Sequence, residues 1–579
     1  MAEHAGEHCA DTRGGQLLAR EIVEALDGYL ASFSTITRRA KARFERREWS
    51  GAVADAAERL DLYGQVIDRL EADVRAALGP QVTDGGVWAG MKAAYSRLIE
   101  TRPDHEVAET FFNSVTRRIF TTIGVDPNIE YTASNIDSPP AEPPLLPMRT
   151  YERAADVPDL IASILRDCRF DCAFEDLDRD SQLVAARLAA LLDGNGAPRR
   201  IERAEIIPAL FFRRKGAYLL GWLNSGGIRV PLALALLNRD RGIVVDAVLT
   251  DADDISILFS FARSHFQVDL GPPGQLIRNL KVLMPKKPVA ELYIALGHHK
   301  HGKTELYRDL LRHLRTTDER FVFAPGTHGM VMIVFTLPGY DVVLKVIKDR
   351  FPAVKPMTPS DVRKTYRLVF RSERAGRLVE AQEFEHLEFE RSRFAPEIVE
   401  QFEREADETV EVTDHQVVIH HAYIERRVTP LDVYLRQVPE RDAREAVDDY
   451  GQAIKDLAAN GIFPGELLPK NFGVTRHSRV VCYDYDELSF LTDFTFRAMP
   501  PAQFDDDEYG DESWFGVGMR DVFPEEIRRF IGLPADLLAV LDEKHSDLYE
   551  IGFWHQMQAR MVNGEIIDIF PYQHSRRLQ

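Results

Sequence analysis

Glu466, Asn471 and Asp484 are side chains whose types and order suit phosphoryl transfer between ATP and a hydroxyl. That chemistry needs a carboxylate to take the hydroxyl proton and an asparagine five residues later at a metal. It also needs a second carboxylate, past a short strand, bridging metal and phosphates. Glu466 and Asn471 keep the spacing, and the apolar residues 480–483 predict the buried strand that aims Asp484. A solvated acidic turn is the plain alternative for Asp484 to Glu487, and the apolar run directly before it argues against that. Asp486, two residues on, is an extra carboxylate able to activate water.

Two segments compete to cradle the phosphates. Gly297 to Thr304 matches the Walker pattern G-x-x-x-x-G-K-[ST], between a β-like run at 292–296 and a helical pattern at 305–314. Its interior is bulky, however, with His298, His299 and Lys300 where a loop must wrap phosphate closely. The rival is Ala324, Pro325, Gly326, Thr327, His328, Gly329 and Met330, a glycine-bearing turn at the tip of a predicted hairpin. Its company favours it: Lys345 lies on the third strand of the same meander, where a kinase keeps the lysine that grips the α- and β-phosphates. Glu373, Glu380, Glu383 and Glu385 follow on a predicted helix, and spacing does not decide which would pair with Lys345.

These residues need a scaffold, and the chain is long enough for one. With 579 residues, 45% hydrophobic and 28% charged, two or three folded domains are expected. A net charge of −20 argues against general nucleic-acid binding, which needs a concentrated basic surface. Four cysteines are too few and scattered for a disulfide framework, and Cys168 and Cys172 lack partners for a zinc site. The N-terminus has no signal-peptide pattern and no apolar run is long enough to span a bilayer, so a cytoplasmic location is expected.

Leu18, Ile22, Leu26 and Leu30 begin a helical periodicity that recurs through 52–78 and 87–98. The proline-rich stretch 135–148 reads as a connector. Residues 217–223 and 242–249 read as strands and 253–265 as helix. From Phe321 to Lys348 a β-meander turns at Pro338-Gly339, and a helix capped by Thr358 and Pro359 is expected to run toward Phe384. Residues 443–459 are helical, and the adenine-contacting hinge is expected near Tyr423–Arg427, including Glu425. The acidic-aromatic segment from Phe504 to Trp514 is either a docking loop or a solvated one.

Long motifs extend these readings. Leu344 to Phe351, Ala381 to Glu385, Tyr423 to Arg427, Lys470 to His477 and Tyr483 to Glu487 together resemble the bacterial isocitrate dehydrogenase kinase/phosphatase family. The resemblance implies an α+β protein: a mostly helical regulatory domain with some strands over 1–315, and a bilobal protein kinase-like domain over 316–579. It implies one cleft using ATP, ADP and Mg²⁺ (or Mn²⁺) to phosphorylate a serine of isocitrate dehydrogenase and to release that phosphate. Flux would thereby be divided between the tricarboxylic acid cycle and the glyoxylate bypass. AMP is implied as an effector near the domain junction; membrane and nucleic-acid partners are not expected, and a homodimer stays open.

The resemblance makes Glu466 and Glu380 catalytic, Asn471 and Asp484 metal ligands, and Ala324–Met330 with Lys345 the nucleotide site. The family usually has aspartate at both glutamate positions, and Pro469 enters the same loop. One added methylene shifts a carboxylate by roughly an ångström, so the balance of the two activities is expected to differ. A kinase-like enzyme with another substrate, an ATP-binding pseudokinase-like regulator and a Walker-type ATPase remain alternatives.

Overall fold

The computed structural model describes residues 2–132, 145–152, 156–192, 201–260, 265–355, 357–371, 376–499, 516–518, 520–567 and 569–578, with side chains of the first helix from Gly14 onward. Residues 135–144 of the connector and the Phe504–Trp514 segment lie outside these residues. Among the described residues, no helix is long and apolar enough to cross a membrane.

The chain divides into two compact units: Met1–Ser260 with Ser264–Thr317 and Phe570–Gln579, and Phe261–Arg263 with Asp318–Ile569. The C-terminal segment therefore belongs with the first unit, where an uninterrupted domain over 316–579 was expected. The cause is Asp246, fully buried, whose carboxylate accepts from Tyr572 Oη at 2.7 Å and Arg577 Nη2 at 2.8 Å. A buried carboxylate without such partners would be strongly destabilising.

The first unit opens with helices α1 (Ala2–Arg46), α2 (Trp49–Leu78), α3 (Gly85–Ile99) and α4 (His105–Ile119). Their apolar stripes close on Leu18, Ile22, Leu26, Trp88, Tyr95 and Phe111. Next come β1 (Arg149–Glu152), α5 (Val157–Arg166), α6 (Leu177–Leu192), β2 (Ile201–Ile206), β3 (Phe211–Arg213), β4 (Gly216–Ser225), β5 (Ile228–Arg239) and β6 (Gly242–Leu249). The strands form an antiparallel sheet in the order β1-β2-β4-β5-β6, with β3 beside β4. One apolar cluster unites this sheet with α5 and α6. Another unites it with α7 (Ala252–Leu258), α8 (Pro273–Leu283) and α9 (Val289–Ala295). Burial on both faces explains why β4 and β6 read as continuous apolar runs. The helix expected over 253–265 is the shorter α7, and residues 261–264 lie outside the described residues.

The Walker-like segment is not a phosphate loop. Residues 292–296, expected as strand, belong mostly to α9, and Gly302, Lys303 and Thr304 sit inside α10 (His299–Thr316). Gly302 is needed for packing, since a Cβ there would meet Ile294 Cγ1 at 2.5 Å and Ala290 O at 2.7 Å. Its N–H already donates to His298 O at 2.9 Å, so it is not available to a phosphate.

The second unit begins with β7 (Val322–Phe323), β8 (Met332–Leu337), β9 (Tyr340–Ile347), α11 (Pro359–Arg371), β10 (Ala381–Glu390), α12 (Pro396–Glu405), β11 (Val410–Val412) and β12 (Gln416–Arg426). Their sheet runs β10-β12-β9-β8-β7, with β11 against β12. The helix expected to reach Phe384 stops at Arg371. Val379 N instead donates to Cys482 O at 3.1 Å, and 381–390 is strand. There Phe384, Leu387 and Phe389 are buried between exposed or half-buried glutamates. His386 has a left-handed φ of 54°, and the buried positions change phase there between Phe384 and Leu387 while the register with β12 is kept.

Below the sheet lie β13 (Thr429–Pro430), α13 (Leu431–Gln437), α14 (Glu440–Ala459), β14 (Ile462–Phe463), β15 (Phe472–Val474) and β16 (Val480–Cys482), followed mainly by helices. Helix α14 buries Ala443, Ala446, Val447, Tyr450, Ala453, Ile454 and Leu457, a helical stripe against which the loops bearing the polar residues are laid.

Candidate active site

Lys345 lies on β9 between β8 and β12, with Tyr423 as its cross-strand neighbour. Its Nζ meets Glu425 Oε2 at 2.8 Å and donates to Tyr483 O at 2.7 Å. Glu425 is two residues from Tyr423 on the same face, so it sits diagonally across from Lys345. Burial raises the Glu425 carboxyl pKa, against the lowering pull of Lys345. Tyr366 Oη of α11 donates to the other oxygen at 3.2 Å, and its ring stacks on Tyr423 at 3.8 Å.

None of the glutamates expected to hold Lys345 does so among the described residues. Glu383 accepts from His421 Nε2 at 2.8 Å, Glu380 accepts from Gln382 Nε2 at 2.9 Å, and Glu385 points outward. β12 stands between their strand and β9; Glu373 lies outside the described residues. The Glu425 side chain, expected at the nucleotide, is thus committed to the lysine.

The Ala324–Met330 segment connects β7 to β8, and its residues from Pro325 on are exposed. Gly326 has φ 118°, and a Cβ there would meet Pro430 Cγ at 3.0 Å, so the loop lies over the segment that follows β12. His328 packs on Phe323 with ring centres 4.8 Å apart, and Lys348 Nζ donates to Gly329 O at 2.9 Å.

The loop after β14 carries Glu466. Tyr450 Oη donates to Leu467 O at 2.7 Å from within the core, fixing the adjacent backbone. Asn471 Nδ2 donates to Glu466 O at 3.3 Å, which orients the amide, and Asp484 N donates to Asn471 O at 3.3 Å. Pro469 begins a single 3₁₀ turn, where the absent N–H costs nothing. Asp484 follows the buried strand β16, and Asp486 N donates to Asp484 Oδ1 at 3.4 Å. Burial, and then the Asp484 charge, push the Asp486 carboxyl up to about 8. Glu380 follows Val379, whose carbonyl accepts from Tyr485 Oη at 2.6 Å.

Asn471 and Asp484 offer hard oxygen donors, which fit Mg²⁺. Among the described residues, no group of three or more His, Cys, Asp or Glu is arranged to hold a metal.

Two further residues escaped the sequence reading. Lys355, on the loop between β9 and α11, bonds the Glu487 carboxylate and lies 3.8 Å from Glu466 Oε1. Arg377 is buried and meets Asp449 at 2.8 Å and Asp456 at 2.7 Å on α14, while its Nη1 donates to Val480 O at 3.0 Å. Burial works against its charge, but the two carboxylates outweigh it and raise its pKa. It ties β16, and so Asp484, to the helical core. No local pattern marks either residue, since their partners lie far along the chain.

An antiparallel sheet with a buried lysine–glutamate pair, a glycine loop at its rim and a carboxylate–asparagine–aspartate loop beneath has the layout of a protein kinase-type domain. A family model described as the isocitrate dehydrogenase kinase/phosphatase (AceK) kinase domain matches residues 319–574, and its regulatory-domain counterpart matches 19–318. Two relatives carry the name isocitrate dehydrogenase kinase/phosphatase. One, from Anaeromyxobacter sp. (strain Fw109-5), is 48% identical over 97% of this chain and 97% of its own. The other, from Anaeromyxobacter dehalogenans (strain 2CP-C), is 47% identical over 98% and 99% respectively. The chain belongs to the isocitrate dehydrogenase kinase/phosphatase family.

Proposed function

We propose that this chain phosphorylates a serine of isocitrate dehydrogenase with ATP and also removes that phosphate, both in the cleft between its sheet and Glu466. The observation that carries the reading is near-full-length identity to two relatives of that name, joined to an intact Lys345, Asn471 and Asp484. In the forward direction Lys345, held by Glu425, grips the nucleotide phosphates, and the Ala324–Met330 backbone covers them. Glu466 takes the serine Oγ proton as Oγ bonds to the γ-phosphorus. The bond from that phosphorus to the β–γ bridging oxygen breaks, and ADP leaves. Asn471 and Asp484 would hold Mg²⁺ (or Mn²⁺), which neutralises phosphate charge when bound.

In the reverse sense Asp486 takes a proton from water as the water oxygen bonds to phosphorus and the bond to serine Oγ breaks. Glu466, in its acid form, returns a proton to that Oγ. A carboxyl near 8 suits proton exchange close to neutral pH. Glu380 is a further acid of the proposed cleft. We assign regulation by AMP to the first unit, and control of the branch between the tricarboxylic acid cycle and the glyoxylate bypass to the enzyme in a cytoplasmic setting.

The test is transfer of labelled phosphate from ATP to purified isocitrate dehydrogenase, followed by its release on adding ADP or AMP. Incorporation lost in Lys345→Ala and Asp484→Ala supports the proposal. Nucleotide binding without incorporation or release refutes it and favours a binding module.

A further inference from the structure

The carboxylate of Glu466 lies between two lysine ammonium groups, one nearest each oxygen. Lys355 Nζ lies 3.8 Å from Oε1 and Lys470 Nζ lies 3.9 Å from Oε2. The two contacts are unequal, because the Lys470 side chain is 43% exposed and the Lys355 side chain 12%. The Glu466 side chain is 38% exposed in both pairs, so water screens each, the Lys470 contact more than the Lys355 one.

Lys355 is itself fixed. It bonds Glu487, and Glu487 packs on the backbone that carries Glu466. A Cβ on Gly465, φ 83°, would lie 2.6 Å from Glu487 Cβ and 2.8 Å from Glu487 O. Only glycine allows that approach and that φ together. Gly465, Glu487, Lys355 and Glu466 thus close a ring around one carboxylate. Burial works against the Lys355 charge, but Glu487, Glu466 and Asp486 outweigh it and raise its pKa.

We propose that Lys355 is a positioning residue for Glu466: anchored by Glu487, its ammonium fixes where the longer glutamate side chain places the catalytic carboxylate. The inference rests on the reading of Glu466 as the base. It explains how a side chain as long as glutamate can keep one position at this site. The extra methylene adds a rotatable bond, and the ammonium removes that freedom. A group transfer loses about 10²-fold for a misplacement of roughly 1 Å, so the anchor contributes to the rate.

The experiment is a double-mutant cycle on phosphate transfer from ATP to isocitrate dehydrogenase, with nucleotide affinity and unfolding midpoint measured for each variant. Lys355→Met should lower kcat by about 10- to 100-fold, leaving ATP affinity and the midpoint unchanged, and Lys355→Arg should recover most of the loss. In Glu466→Asp the carboxylate withdraws by roughly an ångström. There Lys355→Met should cost less than about 3-fold, a non-additivity that a merely structural lysine would not produce. Wild-type protein that transfers nothing overturns the functional reading and this inference with it. A Glu466→Gln enzyme that still transfers removes the base itself. Transfer that depends on Glu466 but is unmoved by Lys355→Met, or strictly additive losses, overturns the positioning role alone.

Discussion

Replacing Lys345 by methionine should destabilise the second unit strongly, and more so at alkaline than at acid pH. The side chains of Lys345 and Glu425 are 5% and 1% exposed and meet at 2.8 Å, so neither is solvated by bulk water. Removing one member of such a pair leaves an uncompensated buried charge, at a cost of about 3–5 kcal/mol. Glu425 can escape part of that cost by taking a proton. Its carboxyl is already raised by burial with Lys345 pulling the other way, and losing the lysine raises it further. A carboxyl whose folded-state pKa lies above its unfolded value stabilises fully below the unfolded value of about 4.3. That contribution is lost as pH rises from the unfolded value through the folded one, by ~1.4 kcal/mol for each pH unit between them. Lys345→Met should therefore be closest to wild type near pH 5 and furthest from it near pH 8. Lys345→Met/Glu425→Gln should recover much of the difference, because the amide carries no charge to bury. Urea unfolding of the three proteins at both pH values, followed on the second unit's transition, measures this. Equal losses at both pH values, or a double variant no more stable than Lys345→Met, would refute the reasoning.

Buried His301 of α10 and half-buried His298 at its cap give a second pH dependence, of opposite sign. Burial lowers His298 from its ordinary 6.5 to about 3 and holds His301 well below its ordinary value. Unfolded, each binds a proton below about pH 6.5, so the first unit should lose up to ~1.4 kcal/mol per pH unit per histidine as pH falls from there. His298→Leu should flatten that slope in acid unfolding, and an unchanged slope would count against it. Gly302→Ala should destabilise the first unit by about 1–3 kcal/mol through overpacking, whereas Lys303→Ala should leave ATP affinity unchanged. Weakened ATP binding in Lys303→Ala would revive the Walker reading. Asp486→Asn should abolish phosphate release while keeping transfer from ATP, and restored release in Asp486→Ala would remove its assignment to water activation.

Much of the site was legible because it is written locally. Glu466, Asn471 and Asp484 lie within one short loop–strand–loop, and their spacing survives into the structure as bonds from Asn471 Nδ2 to Glu466 O and from Asp484 N to Asn471 O. The meander around Lys345 was legible for the same reason, since β8 and β9 are joined by Pro338-Gly339 and pair with each other. Misreadings arose where local pattern and tertiary demand diverge. A Walker-like string is satisfied equally by a loop and by a helix start. Only the approach of α9 to α10 at Gly302 decides for the helix. The burial of Phe384, Leu387 and Phe389 between glutamates does not keep a strict two-residue period, because the phase changes at His386, φ 54°, so local pattern alone reads as helix.

The amino-acid sequence alone determined the chemistry class and a sheet followed by helices, and it offered Glu466, Asn471 and Asp484 as residues to test. Periodicity and motif spacing act between near neighbours and need no knowledge of the fold. Tertiary structure alone decided which charges meet. Lys345 chooses Glu425 and Tyr483, the latter 138 positions away, and Lys355 finds Glu487 at a separation of 132. Such pairings arise when strands and loops distant in the chain are packed into one interior. There the cost of burying an unpaired charge leaves only a few partners acceptable.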